Sequence, residues 1–183
     1  MPPLTADQDG VVAATHATDH ELLAAVLRPY WGHCQYLKTA VVAVAQDNGP
    51  AVSGDFEIGE SCYINDTGHF NAVEFNICYN QLAYYLIAKS VKEGLLPVLR
   101  SWTLDDFWRL QLPDILIVDF RSSFKRKMRG KRFSGSVSVT DVVRVAETDC
   151  QRPLIVLYTS CRFWDDPGGL ATGKVTLAIT NPA

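Results

Sequence analysis

Residues 71–93, "NAVEFNICYNQLAYYLIAKSVKE", restrict the fold more than any other stretch. Asn71 and Glu74 form an N-x-x-E pattern, close to a capping box, in which the Asn71 side chain accepts from the N–H at 74 and Glu74 reaches back to the N–H of Asn71. Phe70 then stands before the cap and Phe75 at the fourth helical position, as a hydrophobic staple requires. The spacing predicts a helix from 71 or 72 to a C-terminal cap at Gly94. On a 3.6-residue period, 73, 77, 80, 84 and 87 share one face, and 75, 78, 82, 85 and 89 another. Both faces are largely apolar or aromatic, so other structure must enclose the helix. About 20 residues give a length of roughly 30 Å. Asn71, Asn76 and Asn80 are the anomaly, because buried primary amides are costly without partners.

The rest of the chain supplies what encloses it. "DHELLAAVLRPYW" has apolar residues at 22, 23, 26 and 27, a helical spacing that ends at Pro29. "YLKTAVVAVA" (36–45) reads as a buried strand, "QDNGPA" as a turn and "VSGDFEIGE" as the returning strand of a hairpin. Thr103 caps a short helix over 103–112, closed before Pro113. Strands follow at 114–120, 133–146, 153–164 and 174–180. In the second of these, Phe133, Val137, Val139, Val143 and Val145 fall on one side. Residues 1–18 are expected to be mobile. No βαβαβ alternation, G-x-G-x-x-G or P-loop supports a doubly wound fold. An α+β arrangement remains: one long helix wrapped by an antiparallel sheet, the hotdog architecture, in a single domain spanning 1–183.

Charge narrows the partners. The net charge of −3 conceals the segment "RSSFKRKMRGKR" (121–132), which holds seven of the 17 Lys and Arg and no acid. Ten basic residues are left against 20 acidic ones elsewhere. Such a segment is either a solvated loop or a site for a phosphate-bearing or acidic partner. Nucleic acid is not expected, since only Phe124 and Phe133 accompany the charges and no recognised motif is present. The uncharged run from Phe75 to Ala88 is too short for a strong membrane-span candidate, and the acidic N-terminus lacks a secretory h-region. The five cysteines (Cys34, Cys62, Cys78, Cys150, Cys161) form no C-x-x-C pair and no zinc spacing. They read as reduced thiols of a cytoplasmic protein that carries no metal and no cofactor.

The stretch "YINDTGHFNAVEFNICYNQLAYY", together with "PYWGHCQYL" near the start, resembles the FcoT family of actinobacterial acyl-thioester enzymes over essentially the whole chain. The resemblance implies hydrolysis of long-chain fatty acyl-CoA, addition of glycine to a (2E)-enoyl group on an acyl carrier protein in isonitrile lipopeptide synthesis, or both. It implies catalytic roles for Tyr30, Tyr63, Asn71 and Asn80. A thioester carbonyl gains negative charge at oxygen on attack, and conjugate addition places charge on the same oxygen. Amide and phenol donors and a helix N-terminus suit both reactions. Each residue also has a structural reading: Asn71 as a cap, Asn76 and Asn80 as partners of neighbouring backbone, Tyr30 and Tyr63 as anchors.

Three further candidates compete. Glu74 is the only acid on the first helical turns. His69 resembles the histidine of hotdog dehydratases, but Phe75 to Ala88 contains no carboxylate to pair with it. Asp141 interrupts an apolar strand face, which a β-bulge also explains. Lys125, Arg126, Lys127 and Arg129 would bind coenzyme A phosphates or an acidic carrier. A homo-oligomer is expected, as open sheet edges and a half-exposed helix start invite pairing. The alternatives are a non-catalytic acyl-binding module and an enoyl hydratase or dehydratase.

Overall fold

A computed structural model describes residues 12–45, 49–148 and 152–182, so Cys150 lies outside the described residues. Seven strands form one antiparallel sheet: β1 (Val12–His16), β2 (Val41–Ala45), β3 (Ala51–Glu57), β4 (Ile115–Arg126), β5 (Arg132–Val145), β6 (Leu154–Trp164) and β7 (Leu170–Thr180). Their spatial order is β1-β2-β3-β5-β6-β7-β4. Helix α1 covers His20–Leu27, α2 Ala72–Glu93 and α3 Leu104–Leu110. The sheet curls around α2, and the architecture is the expected hotdog: α+β, with a long central helix in an antiparallel wrap.

The ends of α2 follow the local chemistry of the sequence. Asn71 Oδ1 accepts from the N–H groups of Val73 (2.9 Å) and Glu74 (3.3 Å). The Asn71 N–H donates to Glu74 Oε2 at 3.4 Å, completing the capping box. The staple forms too, with the Phe70 and Phe75 rings 5.9 Å apart. Gly94 ends the helix at φ 68°, a left-handed cap that disfavours side chains.

Packing fixes the helix against both neighbours. Phe70 meets Phe133 (4.8 Å between ring centres) and Phe75 meets Phe163 (4.8 Å), so an aromatic cluster seats the helix start on β5 and β6. Further along, Thr159 Oγ1 donates to the Val175 carbonyl, so the Tyr79 hydroxyl donates to Thr159 (2.8 Å). On the opposite side, the buried Gln81 accepts from the N–H groups of Tyr36 and Leu37 and donates to the Cys34 carbonyl. Gln111 Nε2 donates to the Val26 carbonyl and joins the end of α3 to α1.

Four expectations need correction. Val12–His16 belong to the sheet rather than to a mobile leader, pairing with β2. β4 runs six residues beyond Phe120, to Arg126, so half the basic segment is strand. The bulge offered as one reading of Asp141 is present, between Val139 and Asp141, and shifts the register of β5, which overturns the placing of Val143 with Val139. Beyond it the alternation inverts: Val143 is exposed, while Val142 packs on the core. Finally, α2 is not enclosed on every side. Its face at Val73, Ile77, Asn80 and Tyr84 is open or half-buried in the single subunit.

Candidate active site

The loop 59–70, the start of α2 and the turn after β4 meet at one end of the molecule. The Phe70 N–H donates to the Met128 carbonyl (3.1 Å), and the Ile58 N–H donates to the Lys131 carbonyl (2.9 Å). These bonds clamp the basic turn against the helix start. Gly130, at φ 75°, makes the approach possible: a Cβ there would stand 2.9 Å from the Phe70 nitrogen.

Of the four residues implied as catalytic, each keeps at least one donor hydrogen without a protein partner among the described residues. The Asn71 carbonyl oxygen is consumed by the cap, and its amide donates once, to Thr67 Oγ1 at 3.2 Å. An amide has two hydrogens, so one remains. Asn80 donates once, to Asn76 Oδ1 at 3.3 Å, and likewise keeps one. It is half-buried on the open face of α2, not deep in the core. The Tyr30 backbone is fixed by Gln35, whose Nε2 donates to the Leu27 and Tyr30 carbonyls at 3.1 and 3.0 Å. Its half-buried hydroxyl makes no hydrogen bond among the described residues, and burial, reinforced by Tyr84 and Cys78, drives its pKa far above the ordinary phenol. The phenol is therefore neutral and keeps its hydrogen. Tyr63 is exposed at 52 % in the loop before the helix. Tyr30, Tyr84 and Cys78 share one environment beside α2, and Asn80 lies on the Tyr84 side of the helix.

The secondary candidates separate. Glu74 is 4 % exposed, unusual for a capping-box acid. Burial raises its pKa, against the Ser61 hydroxyl and the Asn71 N–H, which pull it down. His69 and Glu74 line one small cavity together with Ser61, Arg129 and Lys131. The structure does not bring Asp141 there. It lies eight residues along β5 from Phe133, about 27 Å at strand rise, and its side chain accepts from the Val142 N–H.

The basic segment divides into two sets. Arg121 pairs with Asp119, Lys131 with Asp66 (3.0 Å) and Arg132 with Glu57 (3.0 Å). Lys125, Arg126, Lys127 and Arg129 have no carboxylate partner among the described residues; the Arg126 guanidinium donates to the Gly168 carbonyl instead. All four are exposed. A surface cleft of about 510 Å³, lined by Ile58, Arg129, Lys131 and Arg132, opens beside them. Asp165 shapes this region, accepting from the N–H groups of Arg129 (2.8 Å) and Gly169 (2.7 Å).

A helix start clamped to a basic turn, with amide and phenol donors left free, is the arrangement into which the comparisons fit. The FcoT-like thioesterase domain matches residues 25–179. This chain belongs to that family. A (2E)-enoyl-[ACP] glycyltransferase from Streptomyces coeruleorubidus is 51% identical over 164 residues, covering 90% of this chain and 98% of that protein. One from Mycobacterium marinum is 40% identical, covering 92% and 90%. Among solved structures, a mutant thioesterase from Pseudomonas aeruginosa is 13% identical with TM-score 0.49, covering 88% of this chain and 94% of that one. A putative thioesterase from Shewanella oneidensis is 9% identical with TM-score 0.48, covering 88% and 99%. The FcoT-like chain is thus an acyl-thioester enzyme of the hotdog class.

Sequence reasoning grouped Glu74 and His69 only as competitors for one role and missed Ser61. The cavity joins residues from three separated segments. The only local signal was Gly130 inside a basic run.

Proposed function

We propose that this chain adds glycine to C3 of a (2E)-enoyl group held as a thioester on an acyl carrier protein. One observation carries the reading: relatives at 51% and 40% identity, collinear over nearly their whole lengths, bear the name of that reaction. The site chemistry supports it. Attack of an amine at C3 moves the π electrons onto the thioester oxygen, and donors aimed at an oxyanion stabilise it, each contributing about 3 kcal/mol. The free hydrogens of Asn71, Asn80, Tyr30 and Tyr63 are such donors, and the positive end of α2 adds to them. Hydrolysis of fatty acyl-CoA is the second reading, favoured by the thioesterase description of the family and by the same donors serving a tetrahedral intermediate.

The partner follows from charge. The exposed Lys125, Arg126, Lys127 and Arg129 suit an acidic carrier protein or the phosphates of coenzyme A. The open stripe of α2, with Val73 41 % exposed, and Tyr63 in the preceding loop, 52 % exposed, suit a second copy of the chain, giving a homo-oligomer with the site near the interface. No helix among the described residues is long and apolar enough to cross a membrane, which accords with a cytoplasmic setting beside soluble carriers.

The deciding experiment supplies enoyl-carrier protein with and without glycine and weighs the products. Addition retains every atom, so the carrier-bound product gains one whole glycine mass. Free acid alone would replace this reading by hydrolysis. Stoichiometric capture without turnover would replace it by binding.

A further inference from the structure

The small cavity at the start of α2 has a composition that oxyanion stabilisation does not require. Its free volume is about 10 Å³, the space of one water-sized group. Besides Asn65 and Asp66, the latter held by Lys131, its walls carry three acceptors. Glu74 offers a carboxylate that is 4 % exposed, with a long capping contact of 3.4 Å from the Asn71 N–H and the Ser61 hydroxyl beside it. Ser61 Oγ is buried beside that carboxylate without completing a hydrogen bond in protein geometry. His69 has Nδ1 2.8 Å from the Thr67 carbonyl. In the neutral ring, Nδ1 therefore carries the proton and Nε2 keeps its lone pair. At the rim stands Arg129, exposed and free of any carboxylate among the described residues, while its neighbour Lys131 is held by Asp66.

A water-sized group that presents three hydrogens to three acceptors is a primary ammonium. An attached carboxylate one carbon away would lie at the rim, within the charge of Arg129, whose fork matches a carboxylate. We propose that this cavity is the subsite for the amino acid co-substrate, with Glu74 as the base that activates its amine and Arg129 as the residue that selects its carboxylate. The inference rests on the glycine-adding reading above and deepens it.

The proton count closes. Glycine enters as the zwitterion, and Glu74 takes one proton from its ammonium. The amine nitrogen bonds to C3, and the C2–C3 π pair becomes the enolate of the thioester. Glu74 returns its proton to C2, leaving a secondary ammonium and an unchanged enzyme. No other reactant is needed. The environment favours the first transfer. Burial raises the proton affinity of Glu74 and equally disfavours the charged ammonium, whereas the positive helix end shifts both groups in the same direction. Acid and base are thus brought closer in strength, as efficient proton transfer requires.

The test uses the full chain with enoyl-carrier protein and varies glycine against glycinamide, which keeps the amine and lacks the carboxylate. Wild type is expected to prefer glycine. Arg129→Ala should raise the KM for glycine about 10-fold and erase the preference for glycine over glycinamide, whatever its effect on the KM for enoyl-carrier, and Arg129→Lys should restore part of the preference. Glu74→Gln should lower kcat about 100-fold with the KM for enoyl-carrier kept. Should Glu74→Gln fail to fold, the glycine-to-glycinamide ratio of the surface variant Arg129→Ala decides alone. Adduct formation by wild type with both variants matching it would overturn the subsite and leave the reaction standing. No adduct from wild type at any glycine concentration would overturn both.

Discussion

Gln81→Ala is the perturbation whose cost the structure defines best. The side chain is fully buried and serves three backbone groups in one segment: the Tyr36 and Leu37 N–H groups at 3.0 and 2.9 Å, and the Cys34 carbonyl at 2.7 Å. Truncation leaves all three without partners in a core that holds Tyr36, Leu37 and Leu82 at 2 % exposure or less. An orphaned buried group costs about 1–3 kcal/mol, and a water entering the new space recovers part of it, so about 4 kcal/mol is expected in total. With an m-value of about 2 kcal/mol/M for a chain of this size, the urea midpoint should fall by about 2 M at fixed protein concentration. Turnover should fall as well, because the same segment carries Gln35, which holds the Tyr30 backbone. Gln81→Glu supplies the control. Its protonated acid reproduces the whole pattern, accepting two N–H bonds and donating one to Cys34. Its folded pKa therefore lies above the unfolded value of about 4.3, and stability close to wild type below that pH should drain away as pH rises. A midpoint for Gln81→Ala within about 0.5 M of wild type, at unchanged m, would refute the reasoning.

Three other outcomes follow from the same geometry. Asn80→Ala loses only a 3.3 Å bond on a half-open face, so its unfolding free energy should change by less than about 1 kcal/mol while kcat falls about 100-fold; urea titration and product mass spectrometry check the two halves. Replacing Lys125, Arg126 and Lys127 together by alanine should raise the KM for carrier-bound substrate at low salt and flatten its salt dependence, with the melting temperature unchanged; an unaltered KM at low ionic strength removes the docking role. Glu74→Gln tests burial directly. Burial raises the folded pKa of Glu74, so the native state holds its proton longer and the carboxylate destabilises the fold only as pH rises above the unfolded value of about 4.3. The stability of Glu74→Gln relative to wild type should therefore increase from pH 4 towards neutrality in urea titrations; a constant difference would mean that the carboxylate is solvated.

What was legible in the sequence was chemistry between near neighbours. The cap, the staple and Gly94 act across three to five residues, and each stands in the structure as the pattern required. What was hidden depended on distant pairing. β4 continues through Lys125 and Arg126, which do not favour strands, because β7 offers it a partner as far as Leu170. The valines after Val139 change sides because one extra residue enters β5 opposite β6; Asp141 allowed a bulge there, but nothing local decided between a bulge and an unbroken alternation. Glu74 read as a capping-box acid, and nothing in that pattern says whether such an acid is wet or buried. Its burial comes from Ser61 and the 129–131 turn, brought over it by bonds to Phe70 and Ile58.

The asparagines at the start of α2 need not be assigned to structure or to catalysis alone. An amide has one acceptor oxygen and two donor hydrogens. Asn71 spends its oxygen on Val73 and Glu74 and one hydrogen on Thr67, which fixes the side chain so that the second hydrogen has a defined direction. The cap is therefore what makes the donor useful, since an oriented dipole costs no reorganisation when charge develops. Asn80 is held more loosely, by a single bond to Asn76 on a face that another subunit would cover. Its donor becomes well oriented only if that face is closed. Turnover per subunit should then fall on dilution below the oligomer's dissociation constant, and Asn80→Ala should lessen that fall while Asn71→Ala should not. Activity per subunit that stays constant across dissociation would show that Asn80 is oriented within its own chain.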